Sequence, residues 1–204
     1  MRKNCLTSRE GRTGMAKIKK EAEQKKDTPR GRFHSELFEW GEALLISLTV
    51  VILVFVFFVR IIGVSGESMV PTLQDGDQML VSNVGYTPEK GDIVVLTKDE
   101  FLPVPIVKRV IATAGDEVDI DFETGEVSVN GEVLDEPYIA EKTYTYFDVE
   151  FPQTVPEGCI FVLGDNRNNS TDSRYGELGM VDTRYILGKV LCRIYPISKI
   201  GPVA

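Results

Sequence analysis

Ser68, in Gly66-Glu67-Ser68-Met69-Val70-Pro71-Thr72-Leu73, lies just beyond an uncharged apolar run from Ala43 to Val59. A serine hydroxyl becomes a nucleophile when a neighbouring base takes its proton. The only histidine, His34, stands on the other side of the run. If the run crosses a bilayer, a Ser-His-Asp relay within one chain is excluded and the base is another residue type. Lysine leads the candidates. Lys90, Lys98, Lys108, Lys142, Lys189 and Lys199 follow the run. Lys108 has apolar neighbours on both sides, in Pro105-Ile106-Val107-Lys108-Arg109-Val110-Ile111, whereas Lys90 and Lys98 sit in polar, turn-like segments. With an ordinary pKa of about 10.4, a lysine is neutral in only about one molecule in 2,500 at pH 7. Burial lowers that pKa by several units, and surrounding negative charge acts against it. On spacing alone the plainer readings prevail: Lys108 as a strand lysine facing solvent beside Arg109, and Ser68 as part of a turn around Gly66 and Pro71.

The elements that must position these residues are of two kinds. The seventeen-residue apolar run rises about 25 Å as a helix, at the short end for a membrane span. Ile61, Ile62 and Val64 continue its apolar character past Arg60, whose charge can snorkel to headgroups. A buried core helix and a cleavable leader are the alternatives, but some forty polar residues before a leader would be unusual. Residues 1–36 lack the apolar content to pack and read as a mostly disordered basic tail. Residues 37–62 read as the transmembrane helix with its flanks. Residues 63–204 switch to short apolar stretches punctuated by Gly, Pro, Asn and Asp, which predicts a mainly β domain.

Strands are predicted at Met79–Ser82, Asp92–Leu96, Ile106–Ala112, Glu117–Asp121, Glu126–Val129, Glu132–Leu134, Cys159–Leu163 and Gly188–Tyr195. Asn130-Gly131 is a two-residue hairpin signal, and Thr124-Gly125 makes the turn before it. The resulting meander, together with Tyr144-Thr145-Tyr146-Phe147, forms a subdomain at about 116–155 inserted into the main sheet.

The net charge of −8 hides a division. Residues 1–42 hold 11 Lys and Arg against 7 Asp and Glu, a net +4, and residues 43–204 hold 12 against 24, a net −12. A basic segment before the run fits a cytoplasmic N-terminus with the acidic domain outside. Nucleic acid is excluded as a partner of so acidic a domain. Cys159 and Cys192 would then face an oxidising exterior, which permits a disulfide, although two buried free thiols fit equally. No zinc spacing occurs. The stretch from Asp165 to Asp172 is not a calcium loop, because Arg167 takes a ligand position and Gly176 replaces the terminal glutamate. No metal or cofactor is expected.

Four boxes change the balance, because they occur in order: Gly66 to Leu73, Gly91-Asp92-Ile93-Val94-Val95, Lys108-Arg109-Val110-Ile111, and Gly164-Asp165-Asn166-Arg167-Asn168-Asn169-Ser170-Thr171-Asp172-Ser173-Arg174. Together they resemble bacterial type I signal peptidase, from the apolar run to about Tyr195. That resemblance implies a signal-peptidase and repressor-autoprotease-like antiparallel sheet behind one membrane helix. It also implies that Ser68 attacks the scissile carbonyl and neutral Lys108 takes its proton. Ser170 would orient Lys108 by a hydrogen bond, with Asp172, Arg174 and Arg109 holding the site together. The backbone N–H of Ser68 would supply part of the oxyanion hole. Gly66 stands where Gram-negative members often carry a serine that donates to the oxyanion, and with the single anchor it resembles the Gram-positive form.

By the same resemblance the substrates are secretory preproteins, cut after small residues, with membrane lipid and export machinery as neighbours of a single-pass bacterial membrane enzyme. An extended substrate pairs with strand edges, and Val64, Met69, Leu73, Ile106 and Val107 wall its pockets, with Ile62 and Met79 deeper. Each of these seven could equally be plain core. Two other functions remain open: a tethered β-domain that binds extended peptides without cutting them, and a self-cleaving Ser/Lys protease.

Overall fold

The computed structural model describes residues 29–98 and 102–203, so most of the basic tail, with Cys5, lies outside the described residues. Helix α1, Pro29–Phe57, starts ahead of the boundary at residue 37. Proline suits a first helical turn, where its missing N–H has no partner to lose. From Phe38 to Val56 the helix is uncovered by protein along its whole length. Ser47 and Thr49 turn their hydroxyls back onto the carbonyls of Leu44 and Leu45, so both hydroxyl donors are met within the helix. From Ala43 onward the helix carries no charged side chain, and an apolar helix of this length has the character of a membrane span.

The remainder, from Phe55, forms a second compact unit. Its strands are β1 (Arg60–Gly63), β2 (Gln78–Ser82), β3 (Ile93–Lys98), β4 (Leu102–Thr113), β5 (Glu117–Asp121), β6 (Glu126–Val129), β7 (Glu132–Val133), β8 (Gln153–Thr154), β9 (Cys159–Leu163), β10 (Val181–Asp182), β11 (Ile186–Tyr195) and β12 (Gly201–Pro202). The main sheet runs β1-β2-β11-β3-β4-β9-β10, with β12 paired to β11; the smaller runs β7-β6-β5-β8. All pairings are antiparallel. The fold is mainly β with one apolar helix, as the sequence indicates.

Val64, Met69, Leu73, Met79, Val81, Ile93, Val95, Val107 and Val190 form one core cluster of the main sheet. Val94, Leu96, Val110, Ile160, Val162 and Leu178 belong to another. β3 and β4 feed both, because alternate residues of a central strand face opposite sides. A third cluster joins Val118, Ile120, Val127 and Val129 of the smaller sheet to Ile111, Phe161 and Leu163 of the main one. The smaller sheet is thus packed onto the main sheet. Its hairpin has Asn130 at φ 55° and Gly131 at φ 80°, the left-handed pair a type I′ turn requires.

Several elements differ from expectation. The apolar residues after Arg60 do not prolong the helix; Arg60–Gly63 pair with β2 instead. Tyr144 to Phe147, for which no element was predicted, is irregular. Of the two states left open for Cys159 and Cys192, the structure has the free thiols, on strands separated by β3 and β4.

Candidate active site

Lys108 stands on β4 opposite Val94 of β3, on the face that also carries Val110. It is 2% exposed. Its Nζ donates to Ser68 Oγ at 2.8 Å and to the Val107 carbonyl at 3.0 Å. Both acceptors are neutral. Burial therefore pushes the ammonium pKa down, from 10.5 to about 8, against the attraction of Asp172 and Asp165 and with help from the Arg174 charge. At pH 7 a pKa of about 8 leaves roughly one molecule in ten neutral. The acidic composition of the domain acts in the opposite direction, and local desolvation wins.

Ser68 lies in the loop joining β1 to β2. That loop is closed at its base by Val64 N–H to the Asp77 carbonyl at 2.8 Å and Gly76 N–H to the Val64 carbonyl at 3.1 Å. Asp75 accepts from Gly66 N–H at 2.8 Å. Gly66 has φ +92°, a left-handed conformation that glycine adopts freely. The fourth box grips the loop from the other side. Asn166 donates its N–H to the Ser68 carbonyl and its side-chain amide to the Glu67 carbonyl, both at 3.0 Å.

Three buried ion pairs frame this contact. Arg109 holds Asp165 through Nε at 2.8 Å and Nη2 at 2.7 Å, and lies over the Tyr138 ring. Thr72 also donates to Asp165. Arg174 holds Asp172 through Nε at 2.8 Å and Nη2 at 2.9 Å, and Asp172 accepts from Gly164 N–H at 3.0 Å. Arg167 is paired with Glu136, and it donates to Thr143 and to the Gly164 carbonyl. Bidentate guanidinium pairs fix orientation as well as charge. Gly164 itself has no room for a side chain: a Cβ there would meet Ser170 Oγ at 2.1 Å and the Ser68 carbonyl at 2.5 Å.

Ser68 and Lys108 open into a cavity of about 500 Å³, bounded among others by Ile106, Thr145, Phe147, Asn168 and Leu178. The irregular segment through Thr145 reaches the cavity because Asn168 Oδ1 accepts from the backbone N–H groups of Tyr144 and Thr145. A serine hydroxyl bonded to a buried, weakly acidic lysine beside an open cavity is an arrangement suited to acyl transfer.

Comparison with known proteins agrees with that chemistry. Residues 37–195 match the model of signal peptidase, peptidase S26. The chain belongs to this family.

A signal peptidase I of Bacillus licheniformis is 38% identical over 81% of this chain and 92% of its own length. A probable signal peptidase I-2 of Synechocystis is 35% identical over 90% of this chain and 84% of its own. A signal peptidase I crystal structure from Enterococcus faecalis aligns at 32% identity and TM-score 0.42, over 51% of this chain and 97% of that one. Membership makes the chain a serine endopeptidase of the signal peptidase I type rather than a peptide-binding tether.

Within this S26 peptidase, the residues expected from sequence fall into three groups. Ser68 and Lys108 are joined directly, and Arg109, Asp172 and Arg174 are in the surrounding ion pairs. Ser170 is placed beside them, but its buried Oγ makes no hydrogen bond; it packs against Gly164, and the expected bond to Lys108 is not formed. Of the expected pocket walls, Ile106 alone borders the cavity with Ser68. Val64, Met69, Leu73, Met79 and Val107 are buried in the first core cluster, with Ile62 packed against it. Val64, Met69 and Leu73 belong to the β1–β2 loop itself, and apolar identity does not distinguish a pocket wall from core.

Asp165, Asn166, Arg167, Asn168 and Glu136 received no role from sequence reasoning. The first four were visible in the fourth box. Glu136 pairs across 31 residues, a separation that no local pattern reports.

Proposed function

We propose that this peptidase is held in the membrane by α1, with its N-terminus cytoplasmic and residues 63–204 outside, and that it removes signal peptides from exported preproteins after small residues. Ser68 is the nucleophile and Lys108 the base. The observation that carries the reading is the 2.8 Å hydrogen bond from a buried Lys108 to Ser68 Oγ.

In this mechanism neutral Lys108 takes the Ser68 proton as Oγ adds to the scissile carbonyl carbon. The backbone N–H of Ser68 donates to the oxygen that gains charge. Lys108 passes the proton to the departing amine, the peptide C–N bond breaks, and an ester to Ser68 remains. Water then loses a proton to Lys108 and adds to the ester carbon; the bond to Oγ breaks, Lys108 returns the proton to Ser68, and the leader's carboxyl end is released. Asp172, Arg174 and Arg109 keep the loop and β4 in register, and Ser170 fills the space over Gly164. Tethering by α1 confines Ser68 to the zone where a leader's apolar segment ends, replacing a search in three dimensions by one along the bilayer.

Ser68→Ala and Lys108→Ala are expected to abolish cleavage of a preprotein by the folded, membrane-inserted chain. Wild-type activity in either variant would remove the proposed pair.

A further inference from the structure

A second cavity, of about 440 Å³, lies where β1 begins, β2 ends and β11 begins, away from Ser68 and Lys108. Two arginines line it, Arg60 and Arg184, together with Asn83 and the apolar Phe58, Val84 and Leu187. No acidic side chain lines it, although residues 43–204 carry a net −12 from 24 acidic and 12 basic side chains.

Among the described residues no carboxylate pairs with Arg60. Arg184 is 84% exposed and is held by Asp182 through Nε and Nη2, which leaves Nη1 outside that pair. The place of the cavity in the chain is fixed. Phe58 follows directly on the last residue of α1, and its carbonyl accepts from Ser82 Oγ at 2.9 Å at the end of β2.

We infer that this cavity binds the phosphate-bearing headgroup of an anionic phospholipid from the bilayer that α1 enters. The inference rests on the membrane tether proposed above. If α1 spans, successive Cα atoms only about 3.8 Å apart keep Phe58 at the depth where headgroups lie. A phosphodiester can take the paired, planar N–H donors of Arg60 and the Nη1 donors that Asp182 leaves to Arg184. Phe58, Val84 and Leu187 give the first methylenes of the acyl chains an apolar wall. A free phosphate would use the arginines and leave that wall bare.

The test uses the full chain reconstituted into phosphatidylcholine vesicles with and without phosphatidylglycerol. Membrane insertion and thermal stability are read separately. Wild-type protein is expected to insert into both and to melt higher in the anionic vesicles. Each of Arg60→Gln and Arg184→Gln weakens the preference about fivefold, and the double variant loses it while still inserting.

Lys142→Gln, in the segment between β7 and β8, controls for net charge and leaves the preference intact. A preference that survives in the double variant, or that Lys142→Gln reduces equally, overturns the site. Stabilisation by inorganic phosphate in phosphatidylcholine vesicles overturns the lipid as occupant. Failure to insert in either vesicle overturns the tether, and the headgroup site with it; insertion without any anionic preference overturns the site alone.

Discussion

Lys108 and Arg109 are adjacent on β4 and equally buried at 2% exposure, yet the two faces of the strand treat them differently. On one face Lys108 meets only a serine hydroxyl and a backbone carbonyl. On the other, Arg109 meets a carboxylate in two-point contact, the Gly91 carbonyl and an aromatic ring. Burial without an ionic partner lowers the cost of losing a proton, and burial with one makes the charge permanent. A strand that alternates its faces thus places a lysine of lowered pKa and a fixed structural cation side by side.

The strongest way to break that contrast is Lys108→Arg. It keeps a cation at the site but removes the accessible neutral form. Cleavage is expected to fall about a thousandfold, at pH 7 and pH 9 alike, in a chain whose circular dichroism is unchanged.

Arg109→Met attacks the other face by leaving Asp165 buried and unpaired. Urea unfolding is expected to show a loss of about 3–5 kcal/mol, with most of it recovered in Arg109→Met/Asp165→Leu. Equal losses in the single and double variants would mean that packing rather than charge governs that face.

The pH dependence separates the two faces further. The Lys108 pKa is near 8 when folded and 10.5 by its ordinary value, so between those limits the unfolded chain binds more protons and stability rises with pH. Below pH 8 the full penalty of the buried ammonium is present, about 3 kcal/mol. Lys108→Met is therefore expected to be more stable than wild type at pH 7, with the gap closing towards pH 10.5. Acyl-enzyme formation in the wild type rises across pH 7 to 9 and levels off above it, and a flat profile would contradict the lowered pKa.

The smallest effect is expected at Gly66. Gly66→Ser has open space for its Cβ but must adopt φ +92°, at a cost of about 1 kcal/mol. A single-turnover assay then tells whether the added hydroxyl assists the oxyanion, as the serine in Gram-negative relatives would.

Sequence patterns located the strands wherever turn chemistry bounded them. The limits of β5, β6 and β9 agree with the predicted ones because Thr124-Gly125, Asn130-Gly131 and Pro156-Glu157-Gly158 punctuate those stretches. β8, β10 and β12 escaped notice because two residues carry no period, and β1 because its isoleucines read as the end of the apolar run. At the site, Ser68 and Lys108 were legible from residue type and from four ordered boxes. The direction of Ser170 was not, since a hydroxyl's partner depends on the close approach of Gly164 and the Ser68 carbonyl. Core and pocket were also indistinguishable at Met69, Leu73 and Met79, because both demand the same apolar side chains.

The grip of Asn166 on the nucleophile loop joins residues 99 positions apart, and Arg193 reaches the Thr72 carbonyl across 121. A growing chain consequently carries Ser68 and Lys108 long before it carries what holds them. Until residues 166 and 193 have been made, the loop that carries Ser68 has neither of these bonds.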